Sequence, residues 1–330
     1  MDRDDAGDRN VWEFPITDVS CLQVINGEGL ANRLGRVLGT GRKQAGGEPL
    51  CVIDAGEGRR YGVIVDFDNF GPGCRLSCDP GASALELLPW VNLLLPAIQT
   101  VSMHASAFTW KGEGVVVTGN AGSGKTGALL AAIHQGAQAV GDECLWLDRN
   151  ARLRGLLVEM EIRADYFRQL PHLRTEVSAA ERYRVFVYDL LGRGVRPFLP
   201  GLSKKFVGRA RAHVQPDIVK RHLAPGATID RLFVSEVYSG PEVQVYPVEI
   251  ADVVSRLVEI QSLEFMRQRE LYARYRDDSA GRQNEWMEGL TLRFENLFRN
   301  ALQNTKTYIV EHPPSPRAED LFHAMASTWS

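Results

Sequence analysis

Eight consecutive residues have the composition and spacing of a loop that binds phosphate groups. They satisfy the pattern G-x-x-x-x-G-K-[ST] at every position: Gly119, Asn120, Ala121, Gly122, Ser123, Gly124, Lys125 and Thr126. In such a loop the backbone amides point inward at phosphate oxygens, the lysine reaches the β- and γ-phosphates, and the final hydroxyl ligates Mg²⁺. A β-rich run precedes the loop and a helical run follows it, which is the context that the pattern requires. We therefore expect the loop to bind ATP, or another nucleoside triphosphate, together with Mg²⁺.

Two carboxylates follow the loop after one predicted helix and a short apolar run. Asp142 and Glu143 come directly after residues 138–141. A strand that ends in carboxylates beside a phosphate loop is where a ligand of Mg²⁺, or a base for an attacking hydroxyl, would lie. Adjacent residues of a strand point to opposite faces, so we expect only one of the two to face the metal and the acceptor. A solvated acidic turn is the alternative interpretation.

Three further residues are candidates for the same site. His104 precedes a turn at residues 111–114 that leads into the strand before the loop, which predicts a hairpin that brings His104 close to the nucleotide. Glu161 and Arg163 share one face of a predicted strand, where the carboxylate would hold the metal and the guanidinium would contact the transferring phosphate. The alternatives are a hydrogen-bonded core histidine and a surface ion pair.

A basic segment lies farther along the chain and bears on the acceptor. It contains a single acid, Asp217, among six cations: Lys204, Lys205, Arg209, Arg211, Lys220 and Arg221. The segment either binds an anionic acceptor or is a solvated basic face. It lacks the interleaved aromatic residues of a nucleic-acid platform, and the formal net charge of the chain is −3, so we expect no nucleic-acid partner.

The pattern of apolar residues divides the chain into four parts. Residues 1–10 are predicted to be a disordered tail, and residues 11–100 a β-rich region with one leucine-rich helix that Ser83 caps. Residues 101–250 alternate between strand and helix, with a strand at Ala227–Tyr238, which predicts an α/β core. Residues 251–330 form a predicted helical tail, whose apolar stripe packs either in the core or in the interface of a homo-oligomer.

Composition excludes a membrane-spanning segment in this sequence and indicates a cytoplasmic protein. The acidic start of the chain cannot act as a secretory signal, and its most apolar stretch, Leu85 to Val101, is interrupted by Glu86, Pro89 and Pro96. The five cysteines are scattered and odd in number, so we expect reduced thiols without a metal.

Taken together, the segments around the loop resemble the catalytic core of the HPr kinase/phosphorylase superfamily. The likeness is carried in order by His104-Ala-Ser-Ala-Phe, the turn Lys111-Gly-Glu-Gly, the phosphate loop with its strand, and Gln135-Gly-Ala-Gln-Ala-Val-Gly-Asp-Glu. This resemblance implies a fold related to phosphoenolpyruvate carboxykinase and transfer of a γ-phosphoryl group to a hydroxyl.

The resemblance also implies roles for individual residues. Asp142 would activate the acceptor hydroxyl, Thr126 would ligate the metal, and His104 would lie near the phosphates. Glu161 and Arg163 are similar to the Glu-hydrophobic-Arg-Gly signature of the bifunctional enzymes, in which the glutamate helps to hold the metal. Ala164 stands where that signature has glycine.

Departures from the family point away from HPr as the acceptor. Glu143 replaces the second aspartate, and neither the first 100 residues nor the helical tail resembles the bifunctional enzymes. The leading expectation is a Mg²⁺-ATP-dependent kinase of a divergent type, acting on a hydroxyl of a small molecule, a peptide or a protein serine. The alternatives are a nucleotide-binding switch or scaffold, and a decarboxylating carboxykinase, which needs a second metal site that the sequence does not reveal.

Overall fold

A computed structural model describes residues 11–16, 20–38, 48–56, 62–156, 160–195, 210–214, 224 and 226–329. The chain forms two compact units, each made of strands and helices. One unit comprises Met1–Ser102, Trp146–Ala151 and Val254–Gln303, and the other comprises Met103–Leu145, Arg152–Val253 and Asn304–Ser330. The predicted mixed α/β class is confirmed.

The strands are numbered in chain order. They are β1 Val11–Pro15, β2 Ser20–Ile25, β3 Glu48–Asp54, β4 Val63–Val65, β5 Cys74–Cys78, β6 Thr100–Met103, β7 Ala105–Trp110, β8 Glu113–Thr118, β9 Gln138–Gly141, β10 Leu145–Asp148, β11 Arg152–Gly155, β12 Met160–Arg163, β13 Arg211–Val214, β14 Ala227–Val237, β15 Gln244–Pro247 and β16 Lys306–His312.

The α-helices are numbered in the same way. They are α1 Glu28–Leu38, α2 Ala84–Leu94, α3 Lys125–His134, α4 Tyr166–Gln169, α5 Leu173–Glu176, α6 Ala179–Val195, α7 Ile250–Glu264, α8 Met266–Asp278, α9 Glu285–Glu288, α10 Leu290–Ala301 and α11 Ala318–Ala326. Two 3₁₀ helices cover Leu95–Ile98 and Ser327–Trp329.

The first unit is built on a five-stranded mixed sheet in the order β1-β2-β3-β5-β4. Helix α2 begins as predicted, because the Ser83 hydroxyl accepts a hydrogen bond from the Glu86 amide at 3.2 Å while the Glu86 carboxylate accepts one from the Ser83 amide at 2.8 Å. Helices α8 and α9 belong to this unit. The Asn284 side chain, which caps α9, donates to the carbonyls of Phe67 and Phe70, both at 2.8 Å.

The predicted helical tail is therefore not a separate region. Most of its apolar stripe is buried within the chain, including Phe294 and Phe298 at 1% exposure, although Leu263 is exposed. The tail also contains the strand β16, whose residues Thr307 to Val310 are β-branched or aromatic and thus suit a sheet. Because sequence with helical periodicity flanks this short run on both sides, the strand was not predicted from the sequence.

The sheet of the second unit brings the ends of several strands to one edge. Strand β14, which covers the predicted strand at 227–238, pairs in parallel with β8 on one side and β16 on the other. Strand β7 is antiparallel to both β8 and β9. The carboxyl ends of β8, β9, β14 and β16 and the amino end of β7 consequently lie at the same edge, which is where the phosphate loop follows β8.

None of the five cysteines forms a disulfide, and burial raises the pKa of the Cys78 thiol to about 11, so this thiol stays protonated at neutral pH. Within the described part of the chain, no helix combines the length and the apolar character needed to cross a bilayer.

A buried arginine ties the C-terminal segment to the sheet of the second unit. Arg231, on β14, is 4% exposed and pairs with Glu113. Its Nη1 donates to the Tyr308 hydroxyl at 3.1 Å and to the Thr328 carbonyl at 2.9 Å, and its guanidinium lies 4.2 Å from the ring centroid of Trp329. Arg231 therefore connects β8, β16 and the final 3₁₀ helix.

We predict that Arg231→Met lowers the free energy of unfolding by about 3 kcal/mol, because it leaves the Glu113 carboxylate and the Thr328 carbonyl without their donor. Urea unfolding measures the change. The control is Arg299→Met, which removes an exposed pair with Glu295 and should cost no more than about 0.5 kcal/mol. Equal costs for the two variants would contradict the structural role of Arg231.

Candidate functional site

The phosphate loop is held firmly against β14. The Ser235 hydroxyl donates to the Ser123 carbonyl at 2.7 Å. Gly119 has a φ of +147°, and a Cβ atom at this position would collide with the Ser235 carbonyl oxygen. Gly122 and Gly124 both have a φ of +85°, so the backbone alternates in handedness and forms the kind of concave turn that binds anions.

Lys125 lies inside the curve of the loop. The side chain is 5% exposed, and its ammonium donates to the carbonyl of Gly119 at 2.8 Å and to the carbonyl of Asn120 at 3.2 Å. These backbone carbonyls compensate part of the cost of burying the charge. The ammonium is thus placed where a bound phosphate would meet it.

Asp142 is buried and is bound by two hydroxyl groups. It is 5% exposed, its Oδ2 accepts from the Thr126 hydroxyl at 3.0 Å, and its Oδ1 accepts from the Ser106 hydroxyl. Burial raises the pKa of this carboxyl, while the hydrogen bonds from Ser106 and Thr126 and the charge of Lys125 act in the opposite direction. The structure therefore joins Asp142 directly to the last residue of the loop.

Glu143 does not belong to a strand, so the expectation from strand alternation does not apply to it. Strand β9 ends at Gly141, and Glu143 adopts a left-handed conformation with a φ of +64°. The two carboxylates thus lie in a turn after the strand rather than on the strand itself. The Glu143 side chain is partly exposed, and its Oε2 lies 3.5 Å from Nδ1 of His104.

His104 lies close to the loop, as the hairpin of β7 and β8 predicted. Its backbone carbonyl accepts from the Thr118 hydroxyl at 3.0 Å. Burial, and secondarily the positive charge of Lys125, lowers the pKa of the imidazole to about 4. His104 is therefore neutral at physiological pH and can accept or donate a hydrogen bond next to the loop without adding a charge.

Arg163 also lies beside the loop, whereas Glu161 cannot be placed there. The guanidinium of Arg163 pairs with Asp165 at 3.2 Å and lines a cavity that Gly122 and Gly124 also line. Glu161 belongs to β12, which pairs with β13 in a two-stranded sheet, and its side chain lies outside the described residues. The cationic side chains of the predicted basic segment lie outside the described residues as well.

Two residues of the site were not found from the sequence. Ser106 binds Asp142 from β7, and Tyr166 covers the first turn of α3. A Cβ atom at Gly127 would lie only 2.8 Å from Cε1 of Tyr166, so the glycine is needed for this contact. Burial, followed by the charge of Asp165, raises the pKa of Tyr166 to about 12. The sequence signal for the contact with Tyr166 is Gly127, the glycine directly after the loop threonine, because a glycine there allows another side chain to pack closely against the helix.

The side chains present fit a triphosphate with Mg²⁺. The Ser123 hydroxyl is buried in the loop and has no hydrogen-bond partner among the described residues, as expected of a group in a ligand-binding turn. The described residues contain no cluster of three or more His, Cys, Asp or Glu that would hold a metal alone. Mg²⁺ in nucleotide sites is held by one or two protein oxygens together with phosphates, and Thr126 and Asp142 offer such oxygens.

No protein-family model matches this chain, and no curated protein matches it significantly.

We predict that Gly119→Ala destabilises the protein by about 1–3 kcal/mol more than Gly136→Ala does, since overpacking has costs of this size. Both glycines have a positive φ, +147° and +93°, so alanine strains the backbone in both variants. Of the two, only Gly119 lies close to another segment, so the difference between the variants measures the collision with that segment. The measurement is the shift of the urea unfolding midpoint. Equal shifts would show that the loop does not press against β14.

Proposed function

We propose that this protein is a Mg²⁺-ATP-dependent kinase that transfers the γ-phosphoryl group to a hydroxyl of a small molecule, a peptide or a protein serine. The observation that carries the proposal is the buried carboxylate of Asp142, hydrogen-bonded to the hydroxyl of Thr126 at the end of a complete phosphate loop. A carboxylate at this place can accept the proton of an acceptor hydroxyl, and it also accepts a hydrogen bond from the residue that would bind the metal.

The donor side of the reaction rests on the loop. The amino end of α3 provides positive potential for phosphate oxygens, and the ammonium of Lys125 would neutralise charge on the transferring group. Thr126 would hold Mg²⁺, which when bound would supply charge neutralisation for the transferring phosphate. Phosphoryl transfer needs little beyond such positioning and charge stabilisation.

The acceptor side rests on Asp142 and His104. In the proposal Asp142 takes the proton of the acceptor hydroxyl, using lone pairs that Ser106 and Thr126 leave free, because a carboxylate has about four acceptor positions. Neutral His104 supplies a further hydrogen bond near the transferring group. Glu143 orients His104 through the 3.5 Å contact and contributes negative charge near the metal.

The order of the elements supports kinship with the HPr kinase/phosphorylase superfamily and its carboxykinase-like fold. His104 directly before strand β7, strand β8 with the loop, helix α3 and strand β9 before Asp142 follow one another as the resemblance implies. We propose this fold for the second unit, and the cytoplasm, where ATP is abundant and thiols stay reduced, as the place of action.

Lys125→Ala is expected to abolish turnover, with a loss of at least about 10²-fold, because it removes the only ammonium inside the described part of the loop. The rate of γ-phosphoryl loss from ATP is measured in the presence of a metabolite extract from the cells that make the protein. Lys306→Ala, which removes an exposed lysine at the start of β16, is the control and should leave the rate unchanged.

Asp142→Asn is expected to keep nucleotide affinity within about threefold while γ-phosphoryl loss falls by about 10²–10⁴-fold, the usual contribution of a general base. Isothermal titration calorimetry with Mg²⁺-ATP gives the affinity. The control is Asp189→Asn, which alters a partly exposed carboxylate that pairs with Arg168 and Arg193. An undiminished rate in Asp142→Asn would show that this carboxylate is not the base. Tight ATP binding without turnover in the unaltered protein would favour the nucleotide-binding switch.

A further inference from the structure

Tyr166 lies beside the first turn of α3, the helix that follows the phosphate loop. Its side chain is buried, with 8% exposure, and a Cβ atom at Gly127 would lie 3.1 Å from its hydroxyl oxygen. The ring belongs to the same buried cluster as Leu129 of α3 and Leu321 of α11. This packing holds the phenol in place next to the loop.

The hydroxyl of Tyr166 binds an amide that the helix itself does not use. The first amides of an α-helix have no partner within it, and in α3 the Ala128 amide donates to the Gly124 carbonyl at 2.9 Å. The Gly127 amide, one residue earlier, donates to the phenol oxygen of Tyr166. Because a hydroxyl can donate as well as accept, this bond leaves the hydrogen of the phenol for another acceptor.

The phenol keeps that hydrogen at neutral pH. Burial raises the pKa of Tyr166 to about 12, and the charge of Asp165 acts in the same direction. The charge of Asp142 also acts on this hydroxyl, so the phenol lies within electrostatic range of the proposed base. Tyr166 is therefore a neutral hydrogen-bond donor at the phosphate site, in addition to the charged donor Lys125.

A small cavity beside the loop offers space for the acceptor. Its volume is about 20 Å³, room for about one water molecule. Its lining includes the side chains of Tyr166 and Arg163 and three glycines of the loop and of α3: Gly122, Gly124 and Gly127. A phosphate oxygen is about as large as a water molecule, so the cavity can take one such atom and no larger group. The guanidinium of Arg163 pairs with Asp165 at 3.2 Å, and this pair leaves some of its five N–H donors for an anionic oxygen.

We propose that the hydroxyl of Tyr166 binds the phosphate chain of the donor, by donating a hydrogen bond to one phosphate oxygen that enters this cavity. The inference deepens the proposed function, and it rests on the binding of a triphosphate at the loop. A neutral donor adds a hydrogen bond to the phosphate without a further charge that must be buried. The contact also gives Gly127 a role in binding, since a side chain at that position would collide with the ring of Tyr166.

The test removes the hydroxyl and keeps the ring. Calorimetry compares Tyr166→Phe with the unaltered protein, once with Mg²⁺-ATP and once with Mg²⁺-tripolyphosphate, which has a chain of three phosphates and no nucleoside. We expect the Kd of both ligands to rise at least about tenfold, the usual contribution of a hydrogen bond to a charged group.

Tyr272→Phe is the matched control. Tyr272 is also 8% exposed, and its hydroxyl also accepts from a backbone amide, that of Asn284, at 2.8 Å. Because Tyr272 does not line the cavity, its variant should leave both dissociation constants within about twofold of the unaltered protein.

No rise in Kd for either ligand would show that the cavity holds only a water molecule and would overturn the inference. A rise for ATP alone would assign Tyr166 to the nucleoside and overturn it as well. Should Tyr166→Phe fail to fold, 3-fluorotyrosine incorporated at position 166 keeps both the ring and the hydroxyl. Its ¹⁹F resonance should shift when Mg²⁺-tripolyphosphate binds, and an unchanged resonance would contradict the contact.

The same measurements separate this inference from the proposed function. Binding needs no phosphoryl transfer, so weaker binding by Tyr166→Phe together with no transfer to any acceptor would refute the kinase and retain the contact. Lys125→Ala tests the loop itself. If this variant bound both ligands as tightly as the unaltered protein, the triphosphate would not bind at the loop, and the inference about Tyr166 would be wrong.

Discussion

Burying the carboxylate of Asp142 costs free energy unless hydrogen-bond donors surround it, and the hydroxyls of Ser106 and Thr126 supply them. These bonds join three segments that are distant in the sequence: the start of β7, the first turn of α3 and the turn after β9. The antiparallel placement of β7 between β8 and β9 makes the junction geometrically available. The proposed kinase centre depends on this one cluster, because it fixes the distance between the loop and the carboxylate.

The parts of the site that could be predicted are those set by local sequence. A strand, a glycine-rich loop and a helix follow one another within about twenty residues, and their pattern is sufficient for Gly119–Thr126. His104 was also within reach, since a hairpin turn alone brings it next to the strand before the loop. To place Asp142 in the site, the prediction also needed β9 to end at the same edge of the sheet. The alternation of strands and helices along the sequence indicated this.

What escaped prediction depends on contacts between distant segments. Ser106 belongs to a segment that carries the family resemblance, but its spacing from His104 does not show that its hydroxyl binds Asp142. The approach of Pro316 and Leu321 to Gly124 joins positions almost 200 residues apart, and β16 is a short strand between amphipathic helices. Periodicity describes which face of an element is apolar, but it does not identify the segment that covers that face.

The central claim concerns the fate of the γ-phosphoryl group, so its most direct test follows that group. The protein is incubated with Mg²⁺ and ATP labelled in the γ-phosphate, together with metabolites and peptides from its own cells, and the labelled products are separated. The proposed function predicts label in an organic phosphate ester, and loss of that product with Asp142→Asn. Label found only in inorganic phosphate, or retained in ATP with every acceptor tried, would contradict a kinase.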